Sequence, residues 1–396
     1  MEVYYVIAAY FLFYSFYTSA HIILAQLFYK KPLVRNVEQQ HESVVVLLPA
    51  FKPDTGFPER LARMKKALDF PFVHFFVVLQ QSTKEMEKVV SLHSDLCIHL
   101  EKPIESSGNP YHSILQFSVN KAKDFNPKHL LLLDMDNEID ASSFQRILSF
   151  RNEFDLIQGK RVAQSSNNNS ISQFDSLSES LNDSMMRASR SILKAPIELS
   201  GSGFIAEFEL LSGAIHNLDA KAPGMDKNLL IQLLSLKPSI KMLFDEESVV
   251  TDEKTTEIDS YSRQRTRWFG NQYYNARTQF FPLLLLALRS FRFGIADYGI
   301  SLCRPPRSFQ IIILFIGTLL ELGFHFLGYA NPFLFLIASF IYAFGLSLFL
   351  FKHRSQFNFS SIFSMLNIAF KNSFLALKSF SPSLKGTFLN TRKDEK

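Results

Sequence analysis

The chain has only two cysteines, Cys97 and Cys303, in 396 residues. That excludes a disulfide framework and a structural zinc cluster. It has 15 Gly and 16 Pro, too few for a collagen-like or disordered chain. A single tryptophan occurs, Trp268. Charge of one sign is also scarce. The 42 Lys and Arg face 37 Asp and Glu, a net +5 that is spread unevenly. From Phe280 onward bases outnumber acids, whereas before it acids slightly outnumber bases. The positive surplus therefore sits in the most apolar part of the chain. This points to the anionic cytoplasmic surface of a membrane and excludes a nucleic-acid footprint.

Phenylalanine is abundant, with 41 residues, and so are long uncharged runs. Val3 to Tyr29 carries no Asp, Glu, Lys or Arg. It exceeds the roughly 20 residues that a spanning helix needs. Glu2 precedes it where a signal peptide would carry basic residues, and Lys30, Lys31 and Arg35 follow it. A second apolar block, Ser308 to Phe351, is broken at Asn331-Pro332 and reads as two helices, about Ser308–Leu327 and Pro332–Phe351. Arg304 and Arg307 flank its start, and Lys352 and Arg354 its end. By the positive-inside rule both estimates agree on an outside N-terminus, three spans and an inside C-terminus. Phe280–Leu288 is too short to span and reads as an interfacial helix. The uncharged stretch Ser355–Phe370 is expected to lie in the interface as well. Glu321 falls inside a predicted span, where it either lines a glycan or lipid path or joins packed helices.

The resulting division is residues 1–35 as a transmembrane helix, 36–279 as a cytoplasmic domain and 280–307 as an interfacial segment. Residues 308–351 form two spans, and 352–396 an interfacial helix and tail. Within 36–279, Val44–Leu48, Phe72–Leu79, Asp95–Leu100, Leu130–Leu133 and Phe154–Gln158 read as buried strands. Pro58–Leu68, Thr83–His93, Tyr111–Lys123 and Ala141–Phe150 read as intervening helices. That alternation predicts an α/β domain with a mostly parallel twisted sheet and helices on both faces. Ligands of such sheets bind at the carboxyl ends of the strands. The Ser/Asn-rich stretch Ser165–Ser172 reads as a surface loop.

Three motifs can carry chemistry. Asp134-Met135-Asp136-Asn137 follows a strand. Its two carboxylates can share one hard cation, Mg²⁺ or Mn²⁺, which would bridge diphosphate oxygens. A solvated turn has the same appearance. Asp226, in Gly224-Met225-Asp226-Lys227, opens a predicted helix, where an acid is also a common cap. Gln264-Arg265-Thr266-Arg267-Trp268 pairs a cation with an aromatic plane, which can hold a phosphate or stack on a sugar. An interfacial anchor would look similar.

In order and spacing these motifs resemble the family 2 glycosyltransferases, and most closely their membrane-bound branch of cellulose, chitin and hyaluronan synthases. QRTRW matches the family's QxxRW in full, and Asp134 and Asp136 match its DxD. Asp226 falls where the catalytic base belongs, with Met225 in place of the usual Glu. Leu156–Arg161 is similar to the family's VQGR strand, Ser200-Gly201-Ser202-Gly203 to its acceptor-side glycine segment, and Phe388–Arg392 to its FxRTP ending. Two segments depart from the pattern. Gln80 or Gln81 stands where an acid normally contacts the nucleotide, and Gly108–Ser113 replaces a Lys- and Gly-containing helix start.

The resemblance implies a GT-A-like fold and an inverting, metal-dependent transfer from a nucleotide sugar, UDP- or GDP-linked, to a glycan or lipid acceptor. It implies Asp226 as base, and Asp134 and Asp136 as metal ligands. Gln80, Asp134 and Asp136 fall on the donor side; Gln264, Arg267, Trp268 and Ser202 fall on the acceptor and diphosphate side. Trp268 is expected to face the pocket rather than lipid. The implied location is the inner or plasma membrane with a cytoplasmic site. A chain with three spans acting as a polymerase would need an oligomer or a partner channel. A single-addition glycolipid transferase and a non-catalytic assembly subunit are the alternatives; the departure at Gln80 speaks for the latter.

Overall fold

The computed structural model describes residues 2–34, 42–101, 109–164, 170–254, 257–329, 332–354 and 362–379. The ending at 388–392, residues 165–169 of the Ser/Asn-rich stretch, Gly108, Asn331 and residues 355–361 lie outside the described residues. Eight strands form one sheet: β1 (Val44–Phe51), β2 (Val73–Gln80), β3 (Leu96–Leu100), β4 (His129–Leu132), β5 (Glu138–Ile139), β6 (Leu156–Ala163), β7 (Phe204–Glu207) and β8 (Met242–Asp252). Their order is β3-β2-β1-β4-β7-β6-β8-β5. The pairs β1–β2, β1–β4, β2–β3 and β6–β8 are parallel, and β4–β7, β6–β7 and β5–β8 are antiparallel. The sheet is therefore mixed, with a parallel half that matches the alternation in the sequence.

Successive strand residues point to opposite faces, and here both faces are covered. Val45, Leu47, Phe76, Val78, Leu130 and Leu132 pack with helices Pro110–Ala122, Phe208–His216 and Met225–Leu236. Val44, Val46, Phe75, Val77, Leu131 and Leu133 pack with Phe57–Ala67 and Ala141–Ser149. Each fully buried Val, Leu or Phe contributes about 1.5–3 kcal/mol. The apolar runs of β1 and β2 thus bury side chains on both faces of the parallel half of the sheet.

Among the described residues, three helices are long and apolar enough to cross a membrane: Glu2–Phe28, Arg307–Phe326 and Leu334–Lys352. The first packs against the third. It also carries a row of tyrosines. Tyr10, Tyr14 and Tyr17 hydroxyls donate to the Cys303 carbonyl (2.8 Å), the Ile300 carbonyl (2.9 Å) and Asp297 Oδ1 (2.7 Å) along the helix Phe293–Leu302. Arg190 pairs with Asp297 at 3.0 Å and joins that row to the sheet domain. Glu321 is buried and accepts from the backbone N–H of Phe335 and of Leu336, both at 2.9 Å, and from the Tyr4 hydroxyl. It therefore caps the helix Leu334–Lys352 and ties three apolar helices together. This favours the packing reading of Glu321 over a transport path.

Phe280–Leu288 is not a separate helix. It ends the helix Ile258–Ser290, which also carries QRTRW. Leu283 and Ala287 are buried there, while Phe281, Leu285 and Leu288 are exposed, so this end has an apolar outer face. The helix Ile362–Ser379 packs against Ile258–Ser290 and Arg307–Phe326. Its Asn372 donates to the Tyr261 hydroxyl at 2.8 Å.

Candidate active site

β1, β2 and β4 run parallel, so their carboxyl ends open on the same edge. Asp134 and Asp136 lie just beyond β4. The turn that holds them is closed by Asn137. Its Oδ1 accepts from the Asp134 backbone N–H (3.0 Å) and from Ser202 Oγ (2.7 Å), and its Nδ2 donates to Asp136 Oδ1 (3.2 Å). Asn137 and Ser202 are both wholly buried, while the two aspartates stay half-buried. Ser202 thus supports the DxD turn through Asn137. It sits between Gly201 and Gly203, whose φ values of +93° and +71° form a turn that few other residues adopt. Gln158 holds the same segment, donating to the carbonyls of Ser202 (3.1 Å) and Gly203 (3.0 Å).

Two residues outside the expected set face the DxD. The Tyr111 hydroxyl lies 3.5 Å from Asp134 Oδ1. Burial first, and then the Asp134 charge, push its pKa well above the ordinary tyrosine value. Arg161 donates to the Ser200 carbonyl at 2.8 Å and pairs with Asp252. Burial opposes its charge, but Asp252, Glu179, Asp134 and Asp136 together more than offset this and hold its pKa above the usual arginine range. Both residues occur in segments that the sequence brings forward: the departure at Gly108–Ser113 and the LIQGKR strand. Their proximity to the carboxylates depends on the fold.

Asp226 lies in the first turn of Met225–Leu236, half-buried. Asn271 Nδ2 donates to its Oδ1 at 2.8 Å, and Lys227 Nζ stands 3.7 Å from its Oδ2. Lys227 is itself paired with the buried Glu198, which Arg304 also approaches at 3.3 Å. Arg267 connects the two acidic sites. Burial lowers its pKa, and Asp226, Asp134 and Tyr111 oppose that shift. The DxD, Asp226 and the Arg of QRTRW therefore share one electrostatic environment, although their strand, helix and long helix are far apart in sequence.

The other expected residues fall as follows. Gln80 ends β2 and is buried, with Nε2 unpartnered among the described residues. Gln264 Oε1 is likewise buried and without a partner there. Trp268 is 40% exposed, with the Arg265 guanidinium 4.2 Å from its ring centre. Arg265 is buried in an ion pair with Asp175. No group of three or more His, Cys, Asp or Glu suited to a metal occurs among the described residues. Asp134 and Asp136 offer two hard oxygen donors. That set fits a Mg²⁺ or Mn²⁺ that takes its remaining ligands from substrate phosphates and water.

No curated protein matches the chain. Among solved structures, the chain is similar to a mannosyltransferase from Pyrobaculum calidifontis in complex with GDP-Man and Mn²⁺. The identity is 13%, the TM-score 0.53, and the match covers 94% of this chain and 100% of that one. A glucosyl-3-phosphoglycerate synthase from Mycobacterium tuberculosis, with Mn²⁺, UDP and phosphoglyceric acid, aligns at 14% identity and TM-score 0.40, over 58% of this chain and 76% of that one. S. aureus TarS residues 1–349 with UDP-GlcNAc align at 14% and 0.37, over 54% and 59%. The fold is GT-A-like. A model of the glycosyl transferase family group 2 matches residues 129–351, more than half of the chain. The chain belongs to that family.

Proposed function

We propose that the protein is a membrane-bound, inverting glycosyltransferase of the cellulose, chitin and hyaluronan synthase-like branch. It would move a sugar from a UDP- or GDP-linked donor to a polysaccharide or lipid-linked acceptor at the cytoplasmic face of the inner or plasma membrane. The observation that carries this reading is the position of Arg267, half-buried and within reach of the charges of both Asp134 and Asp226. The donor's diphosphate would lie against Asp134, Asp136 and Arg267. Gln80, whose amide donor has no protein partner among the described residues, would meet the edge of the base.

Asp226 takes the proton from the acceptor hydroxyl. The hydroxyl oxygen attacks the anomeric carbon on the face opposite the diphosphate, and the carbon–oxygen bond to the diphosphate breaks. One displacement inverts the centre and needs no covalent enzyme intermediate. Arg267 adds positive charge where negative charge develops on the leaving group. Mg²⁺ or Mn²⁺, held by Asp134 and Asp136 when bound, supplies further positive charge to the diphosphate. Gln264, Trp268 and the Ser202 segment would border the acceptor. The three apolar helices and the apolar face at Phe281, Leu285 and Leu288 support residence in and along a membrane.

The test supplies membranes containing the full chain with UDP-glucose, UDP-N-acetylglucosamine and GDP-mannose, and identifies products by mass spectrometry. Product length separates a polymerase from a single-addition transferase. Asp226→Asn should bind donor normally and lose transfer, because an amide cannot take the proton. Near-normal transfer by that variant would refute the assignment.

A further inference from the structure

The carboxylate of Asp226 is held from a second element, and the direction of that hold is fixed. We propose that Asn271 is the positioning residue of Asp226 and that Asn275 sets the orientation of Asn271. The proposal rests on the reading of Asp226 as the base.

Asn271 Nδ2 donates to Asp226 Oδ1 at 2.8 Å. Asn275 Nδ2 donates both to Asn271 Oδ1 and to the Asn271 backbone carbonyl, each at 2.8 Å. An ionised carboxylate only accepts, so the Asn271 atom facing it is the amide nitrogen. The Asn271 oxygen must then point the other way, where a donor meets it. The second bond of Asn275, to the backbone one turn earlier, keeps that donor in place. Polarity runs in one direction, from Asn275 through Asn271 to Asp226.

Three further observations agree. Asn271 and Asn275 are 4% and 0% exposed, in a helix interior where asparagine is a poor residue. Asn275 Oδ1 has no partner among the described residues, so one buried acceptor is sacrificed to keep the donor aimed at Asn271. Gly224 lies at the N-cap of the Asp226 helix, where its φ of −143° does not require glycine. It requires space, because a Cβ there would fall 2.3 Å from Asn271 Nδ2.

Arg267, Asn271 and Asn275 are spaced by four and share one helix face. The family motif and the amide pair thus approach Asp226 from the same side. With Oδ1 engaged by Asn271, Oδ2 is the oxygen presented to the acceptor hydroxyl. The charged and titratable groups facing that carboxylate are Lys227, Arg267 and Tyr298, with Glu198 beyond Lys227.

The experiment uses the full chain in membranes. It reads kcat and donor KM with UDP-glucose, UDP-N-acetylglucosamine and GDP-mannose. Asn271→Ala should lower kcat by about 10- to 100-fold, the range for a hydrogen bond to a charged group, with donor KM nearly unchanged. Asn275→Asp does not touch Asp226, yet its carboxylate would accept from Asn271 Nδ2 and turn the Asn271 oxygen toward Asp226. It should reproduce the loss. Asn271→Ser and Gly224→Ala give the same reading where the alanine variant does not accumulate: serine restores part of the rate, and the added methyl removes it. A normal rate for Asn271→Ala, or a lower rate that Asn271→Ser does not partly restore, overturns the proposal while Asp226→Asn remains inactive. An active Asp226→Asn instead overturns the reading of the base itself.

Discussion

Replacing Asn137 by alanine tests how the DxD turn is built. Its Oδ1 holds two donors, the Asp134 backbone N–H and the hydroxyl of Ser202, and its Nδ2 steadies Asp136. Asn137 and Ser202 are both at 0% exposure, so water cannot replace what is lost. Each buried donor left without a partner costs about 1–3 kcal/mol, so two cost roughly 2–6 kcal/mol. That is a large part of the ~5–15 kcal/mol that holds a typical domain together. At about 2–4 °C per kcal/mol, melting of the detergent-solubilised chain should begin at least about 4 °C lower. The same change frees both carboxylates from their fixed geometry. Loss of such a support typically weakens metal affinity about 10- to 100-fold, so activation by Mn²⁺ should need correspondingly more ion. Unaltered melting together with an unaltered Mn²⁺ titration would show that Asn137 neither braces the turn nor shapes the ion site.

Three other outcomes are expected. Excess chelator should stop turnover, and Mn²⁺ or Mg²⁺ should restore it; full activity in chelator would reduce Asp134 and Asp136 to a turn. His112 and His129 are both lowered by burial to about 4, from an ordinary value near 6.5. The unfolded chain therefore binds protons that the folded chain refuses, and stability falls as pH drops from about 6.5 to about 4, by about 3 kcal/mol per histidine. A His112→Asn, His129→Asn variant should melt with a flatter pH dependence, and an equally steep curve would contradict the assignment. Glu321→Ala strands the N–H groups of Phe335 and Leu336 in an apolar setting. It should lower thermal stability while leaving turnover per folded molecule intact; a selective loss of turnover would revive the glycan-path reading.

The parallel half of the sheet was legible because its strands are short apolar runs separated by helical patterns. All five expected strands and all four expected helices occur, with ends shifted by a few residues. β5, β7 and β8 were not legible, and each for its own reason. β5 is only two residues, Glu138–Ile139. β7 is four residues after a glycine turn, too short to show a period. β8 carries Asp245-Glu246-Glu247-Ser248 within it, and its pairing with β6 shifts register between Gly159 and Lys160. Strand direction was equally hidden, since Phe204–Glu207 gives no sign that it runs against both of its neighbours. In the candidate site, Asp134, Asp136, Asp226 and Arg267 carried motifs and could be named beforehand. Tyr111 and Asn271 could not, and Arg161 stood only within the segment similar to the family's VQGR strand. Their roles come from partners 23, 91 and 45 residues away, a relation no local pattern encodes.

The elements that assemble the site are also those that reach the apolar helices. One helix, Ile258–Ser290, carries Arg267 and Asn271 in its first half and ends on the exposed apolar face of Phe281, Leu285 and Leu288. Arg304, three residues before Arg307–Phe326, closes on Glu198, which holds Lys227 beside Asp226. Gln272 donates to the Arg304 carbonyl at 2.7 Å and joins these two routes. Asp226 is thus braced from one side by the long helix and from the other by the segment leading into an apolar helix. Buried ion pairs of this kind are costly to break singly, because the partner is left charged and unpaired. Detaching the apolar helices would leave Glu198 with one cation fewer and the long helix without its neighbour at Leu302–Arg304. In this chain the position of the acidic group is coupled to the apolar helices by named side chains rather than by proximity alone.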